Sequence, residues 1–310
     1  LTPFIEQQAI WEQISNPTAN ATGQVYPAAG AFPAMGPSPE NIDYKPWATE
    51  LPALRCPSDP GTGLPALGRT NYGASIGDST DYIRDGFLQH GVAPTAIPYQ
   101  PTSGSAQRAR AAHRGFFMPE QQTAFRDVLD GLSNTIAMGE LATDLGDKDK
   151  RTSLTAGGTY STNNNHWTIV VTPNWCEQHI DPLRPNFWAP AAPVLGAASA
   201  RGYRWADSNP TFTQIHTVRP PNKEVCSDGA INRSSLMSVS SRHQGGAHIL
   251  MGDGAVKFVT DSIEAGDQNR RMVYQWGDAT YQNSPGSQSP YGLWGALGTR
   301  ASKETISEEF

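Results

Sequence analysis

Apolar and polar positions alternate most regularly late in the chain, where Ala247-His248-Ile249-Leu250-Met251 and Ala255-Val256-Lys257-Phe258-Val259 flank Gly252-Asp253-Gly254. Two period-two runs around an Asp-Gly turn predict a β-hairpin. Looser alternation over 69–76 (RTNYGASI), and again over 135–141, predicts two further strands. The latter is reached from 125–131 (FRDVLDG) through an Asp-Gly turn and Leu132-Ser133-Asn134. The run HWTIVV at 166–171 reads as another strand. At the start, Thr2-Pro3 precedes FIEQQAIWEQI, and Leu1, Phe4, Ile5, Ala9, Trp11 and Ile14 give a helix with one apolar side. A short helix is predicted to begin at Ser262, within 262–271. Residues 15–50 and 91–112 carry no sustained period and read as surface excursions, the second one mobile.

Composition adds that turns dominate. The 310 residues include 30 Gly and 25 Pro, with 37% hydrophobic and only 17% charged residues. Such a chain makes many short elements, and one elaborated domain over 1–310 is expected, with 142–235 as an insertion within it. A net charge of -6 leaves no basic footprint for a nucleic-acid backbone. No apolar run approaches the roughly 20 residues of a membrane-spanning helix. A first residue of Leu rather than Met reads as a cut through a longer precursor, with any targeting segment upstream.

Candidate chemistry is sparse. Of Cys56, Cys176 and Cys226, the last two fall in the same long insertion and are the preferred disulfide, with three reduced thiols as the alternative. His243, His248 and Asp253 offer nitrogen and oxygen donors. Asp-Gly is also hairpin-turn sequence, so the expected role is structural, His243 and Asp253 tying the hairpin to its flank, and no metal site is assigned. Asp127, Asp130, Ser133, Asn134 and Glu140 form an oxygen-rich group that a calcium ion would suit, although capping and turn formation account for them and no cofactor is expected. Nucleophile-elbow, metalloprotease, phosphate-loop and dinucleotide motifs are all missing, and an enzyme is not expected. Trp167, Trp175, Trp188 and Trp205, set among polar residues, are candidate stacking surfaces for a glycan.

Several blocks together resemble a family of bacterial exported, prepilin-like proteins, the domain of unknown function numbered 1559. Its C-terminal signature is His, nine residues, then Asp-Gly, which falls here on His243, Asp253 and Gly254 within SRHQGGAHILMGDGAVKFV. LTPFIEQQAIW, RCPSD and TNYGAS resemble the family's early blocks. VLDGLSNTIAMGE, with Asp130, Gly131, Ser133, Asn134 and Glu140, resembles its central block, and YGLWGALGTRASKE its end. The resemblance implies a pilin-like α+β fold, an N-terminal helix packed on an antiparallel β-sheet, and export to the periplasm, cell surface or extracellular space. It implies a structural, interaction-making subunit of a filament, secretion system or envelope assembly, associating with itself or with other pilin-like subunits. The membrane would be met only through an upstream helix. An exported glycan-binding module built on the Trp-rich insertion is the alternative.

Overall fold

The computed structural model describes residues 2–83, 103–119, 121–158, 160–161, 166–304 and 306. Its strands are β1 (Tyr72–Gly77), β2 (Ile136–Glu140), β3 (Thr155–Ala156), β4 (Tyr160–Ser161), β5 (His166–Trp167), β6 (Gln214–His216), β7 (Cys226–Ser227), β8 (Ser235–Leu236), β9 (Gly246–Met251) and β10 (Val256–Thr260). Its α-helices are α1 (Gln8–Ser15), α2 (Lys45–Ala48), α3 (Ser103–Ala112), α4 (Thr168–Val171), α5 (Pro210–Thr213) and α6 (Gly292–Leu297). The main sheet runs β10-β9-β2-β1-β6, beside a small sheet β3-β7-β8 and the pair β4-β5.

The predicted hairpin is β9–β10, with Val256 opposite Leu250 and Phe258 opposite His248. Its turn closes through Gly254 N to Met251 O (3.0 Å) and Met251 N to Ala255 O (2.8 Å). Gly254 sits at φ 92°, a backbone conformation that side chains resist, so glycine is the residue the turn requires. Alternation along β9 sends Ala247, Ile249 and Met251 inward, where they pack with Ile136, Ile215, Val239, Val259, Trp294 and Leu297. Burial of this set supplies the sheet's driving force, at about 1.5–3 kcal/mol for each large aliphatic side chain. The strand around 135–141 and the one within 69–76 are both present, as β2 and β1, and they pair antiparallel with Tyr72 opposite Glu140.

The fold is mixed α and β with few helices, and it departs from expectation in several places. The sheet is mixed, because β6 runs parallel to β1. β6 lies within 142–235, so that stretch supplies an edge strand of the main sheet. The N-terminal helix is broken: a 3-10 turn over Thr2–Ile5 ends at Glu6, whose φ is 60°, before α1 begins. Ile10, Trp11 and Ile14 of α1 then pack with Tyr44, Trp47, Leu67 and Trp205. The core partners of α1 are therefore mostly aromatic side chains from outside the sheet. Residues 15–43 run over the surface as expected, none of them buried, and the stretch is anchored at its end by the buried Tyr44, Pro46 and Trp47.

Only the first two residues of HWTIVV are extended, and the remainder is α4 with the consecutive Ile169 and Val170 both buried. A short unbroken apolar run fits a buried helical turn as well as a strand, which is why the pattern misled. The expected helix at 262–271 is absent, because Glu264 bonds its carboxylate to the amides of Gly266 (2.7 Å) and Leu293 (2.6 Å) in a turn. Conversely, 103–112 forms α3 on Ala, Gln and Arg propensity without an apolar stripe, burying Ala109, Ala111 and Ala112. The rest of the stretch read as mobile, 91–102, lies outside the described residues.

Cys176 and Cys226 form a disulfide across 50 residues of sequence. It sits in a second cluster with Ile169, Val170, Trp188, Val218, Met272 and Tyr291. Closing a loop of that length stabilises a fold by about 2–4 kcal/mol. The Cys176→Ala/Cys226→Ala variant is therefore expected to unfold in urea with a stability lower by about that amount. Added reductant is expected to lower the wild-type midpoint and to leave that of the variant unchanged.

Candidate functional site

The site is built on a buried carboxylate. Asp59, in the Cys-Pro-Ser-Asp turn, accepts hydrogen bonds from Thr143 N (2.7 Å), Thr143 Oγ1 (2.7 Å), Gly61 N (3.0 Å) and Asn71 Nδ2 (2.8 Å). Burial pushes its pKa up, but these four donors outweigh burial and hold the carboxyl below its ordinary value. Asn71, just before β1, then uses its whole side chain. Its Nδ2 also donates to Leu141 O (2.9 Å), and its Oδ1 accepts from Cys56 N (3.0 Å) and Arg55 Nη1 (2.8 Å). The turn bearing Cys56, the start of β1 and the end of β2 are locked together by this pair.

Glu140, the last residue of β2, is nine-tenths buried at its side chain and divides its two oxygens between two tasks. Oε2 is tethered to β9, accepting from His248 N (2.8 Å) and lying 3.2 Å from His248 Nδ1. Oε1 faces His243 Nε2 at 3.6 Å, beyond hydrogen-bond reach. The same His243 Nε2 stands 3.8 Å from Cys56 Sγ. Ser241 fixes the approach of His243, its hydroxyl oxygen accepting from His243 N (3.0 Å) while the hydroxyl donates to Gly246 O (2.7 Å).

Among the described residues, Cys56, Glu140 and His243 are the group whose thiol, carboxylate and imidazole donors all lie within 4.8 Å of one another. The His248 ring stands edge-on to His243, at 5.2 Å between centroids, and leans on Phe258 at 5.1 Å. Tyr72 is close by: burial, then the nearby Cys56 and Glu140, push its hydroxyl above the ordinary range. A small recess opens beside these groups, lined by Cys56, Asp59, Asn71, Glu140 and 240–242.

The residues singled out from sequence distribute differently. His243 and Asp253 do not act together to tie down the hairpin. They lie beyond opposite ends of β9, a six-residue strand of about 20 Å, and Asp253 accepts from Ala255 N (2.9 Å) within its own turn. The oxygen-rich group is divided among separate turns and contacts. Asp127 accepts from Ala124 N, while Asp130 accepts from Ser302 N (2.8 Å) and Lys303 N (2.7 Å) and so pins the C-terminal segment. Asn134 bonds Asp130 O (3.2 Å), Gly131 takes φ 94°, Ser133 is exposed, and Glu140 belongs to the Cys56 site.

Three of the four tryptophan side chains are described, and each is held by its own contacts. Trp188 is fully buried with its indole N–H on Ser153 O (2.7 Å). Trp205 packs on Trp47 and donates to Thr49 O (3.0 Å). Trp175 is 38% exposed beside the disulfide. Trp167 is described only as backbone, paired with Tyr160. Cys56, by contrast, was read from sequence only as the cysteine outside the preferred pair and as part of the RCPSD block. One Cys, one Glu and one His separated by 84 and 103 residues carry no spacing signal, and only the strand order brings them together.

The molecule is thus a disulfide-bearing mixed α/β protein in which, among the described residues, a thiol, a carboxylate and an imidazole cluster at the end of the main sheet. The family described as "Protein of unknown function (DUF1559)" matches residues 1–266, and the chain belongs to it. The match contains Cys56, Glu140, His243 and the Asp253-Gly254 turn; the C-terminal block containing α6 lies beyond it. No curated protein and no solved structure matches the chain.

Removing the carboxylate of Asp59 orphans buried donors on Thr143 and Asn71, so Asp59→Ala is expected to cost about 3 kcal/mol in chemical denaturation. Because its folded pKa is lowered, the contribution of Asp59 is fully present above the unfolded carboxylate value of about 3.9 and is lost as pH falls through the folded value. Stability measured against pH is expected to show the gap between wild type and Asp59→Asn narrowing below about pH 4.

Proposed function

We propose that the chain is the exported globular part of a structural, interaction-making subunit, pilin- or pseudopilin-like, of a cell-envelope or extracellular assembly. The Cys176–Cys226 disulfide carries the export half of this reading, since a buried bond of this kind persists where the compartment is oxidising. Support for the pilin half comes from the resemblance of the sequence blocks to prepilin-like proteins. It is compatible with the placement of α1, which lies outside the sheet, behind a first turn whose Phe4 is 88% exposed. A preceding apolar helix would leave from such a position without disturbing the core. The glycan reading has less behind it, because Trp188 and Trp205 use their indole N–H groups internally.

The test uses the full-length precursor in its native host. Thiol alkylation in intact cells followed by mass mapping is expected to find Cys176 and Cys226 joined. Crosslinking of the envelope fraction is expected to give a ladder of self-association or adducts with other pilin-like subunits. A reduced pair in a cytoplasmic pool, or a monomer under every assembly condition, contradicts the reading.

A further inference from the structure

We propose that Cys56, Glu140 and His243 form a binding site for a single transition-metal ion of the zinc class, with His248 positioning the carboxylate. The inference goes beyond the structural role proposed above and does not depend on it. Its first support is distance. A tetrahedral ion with metal–sulfur about 2.3 Å and metal–nitrogen or metal–oxygen about 2.0–2.1 Å sets its donors roughly 3.3–3.6 Å apart. His243 Nε2 stands 3.8 Å from Cys56 Sγ and 3.6 Å from Glu140 Oε1. The first is a long hydrogen-bond distance for sulfur and the second is beyond hydrogen-bond reach, and both are close to the edges of such a tetrahedron.

Donor direction is the second support. In a nucleophilic relay the imidazole would turn one nitrogen to the thiol and the other to the carboxylate. Here a single nitrogen, Nε2, meets both, and the three donors lie within 4.8 Å of one another. The third is the buried Glu140 side chain. Its Oε2 is held by the amide and ring of His248, whereas Oε1, among the described residues, accepts no hydrogen bond and faces the other two donors. A carboxylate held in this way is the arrangement by which an outer partner orients a metal ligand.

One thiolate, one imidazole and one carboxylate suit a borderline-soft divalent ion better than calcium or magnesium, which take oxygen donors. Three protein ligands leave a fourth position for water or another donor, and binding releases the Cys56 proton to solvent. The disulfide accounts for the other two cysteines, so Cys56 is the thiol available for this chemistry.

The test strips the purified 310-residue chain with a chelator and titrates it with cobalt(II), then with zinc against a chromophoric competitor. Expected are one equivalent of cobalt with an intense thiolate charge-transfer band and its displacement by zinc. The band is expected to vanish in Cys56→Ser, with zinc affinity reduced at least tenfold in His243→Ala and Glu140→Gln. His248→Ala is expected to weaken zinc about tenfold while keeping the band, as a positioning residue should. Circular dichroism verifies that each variant is folded. Should Cys56→Ser not fold, the wild-type cobalt spectrum decides alone. Binding without a thiolate band, or no binding after chelation, overturns the proposal.

Discussion

The hydrogen bond from Asn71 to Asp59 is the constraint on which the rest of the site depends. A buried carboxylate is costly unless its lone pairs are filled, and Asp59 fills them with donors from three separate segments. Asn71 passes that order on, because its remaining side-chain atoms hold the amide of Cys56 and the carbonyl of Leu141. The Cys56 turn is thereby fixed against the end of β2 by polar contacts whose partners would be stranded if it moved. At the far end of the same sheet apolar burial does the corresponding work, with Ile136, Ile249 and Met251 in one cluster.

Rigidity at that end gives meaning to Glu140 and His243. Glu140 is placed by strand pairing, and its outer oxygen is restrained by His248 on the neighbouring strand. His243 arrives from a loop shaped by Ser241. Neither stands alone in a solvated loop, as an incidental surface histidine would. The buried His216 offers a contrast: burial, then Arg201, push its pKa down to about 3, and its Nδ1 accepts from Met237 N (3.0 Å) within the fold. That imidazole is a neutral structural part, whereas His243 presents its Nε2 to a thiol and a carboxylate.

Much of the sheet was legible in the sequence, because β1, β2, β9 and β10 carry the period of two that a half-buried strand imposes. Less was legible where the period fails. The parallel β6 is three residues long, buried throughout, and paired to a strand well over a hundred residues away. The helical α4 hides in a run of β-branched residues that would suit a strand. The candidate site was the least legible part. Its residues were visible singly, Glu140 within an oxygen-rich group and His243 within a signature, yet His243 was paired with Asp253 in tying the hairpin to its flank. The strand β9 lies between them in extended form and carries Asp253 away. The blocks that resemble the family, RCPSD, TNYGAS, the Gly-Glu of the central block and SRH, each contribute to the site, and that convergence is a product of sheet order.

The account stands or falls on whether these blocks form one donor set. X-ray absorption at the zinc edge of the reconstituted chain reads that set directly. The account predicts one sulfur at about 2.3 Å and the remaining nitrogen and oxygen donors at about 2.0–2.1 Å. A first shell of nitrogen and oxygen alone would contradict it.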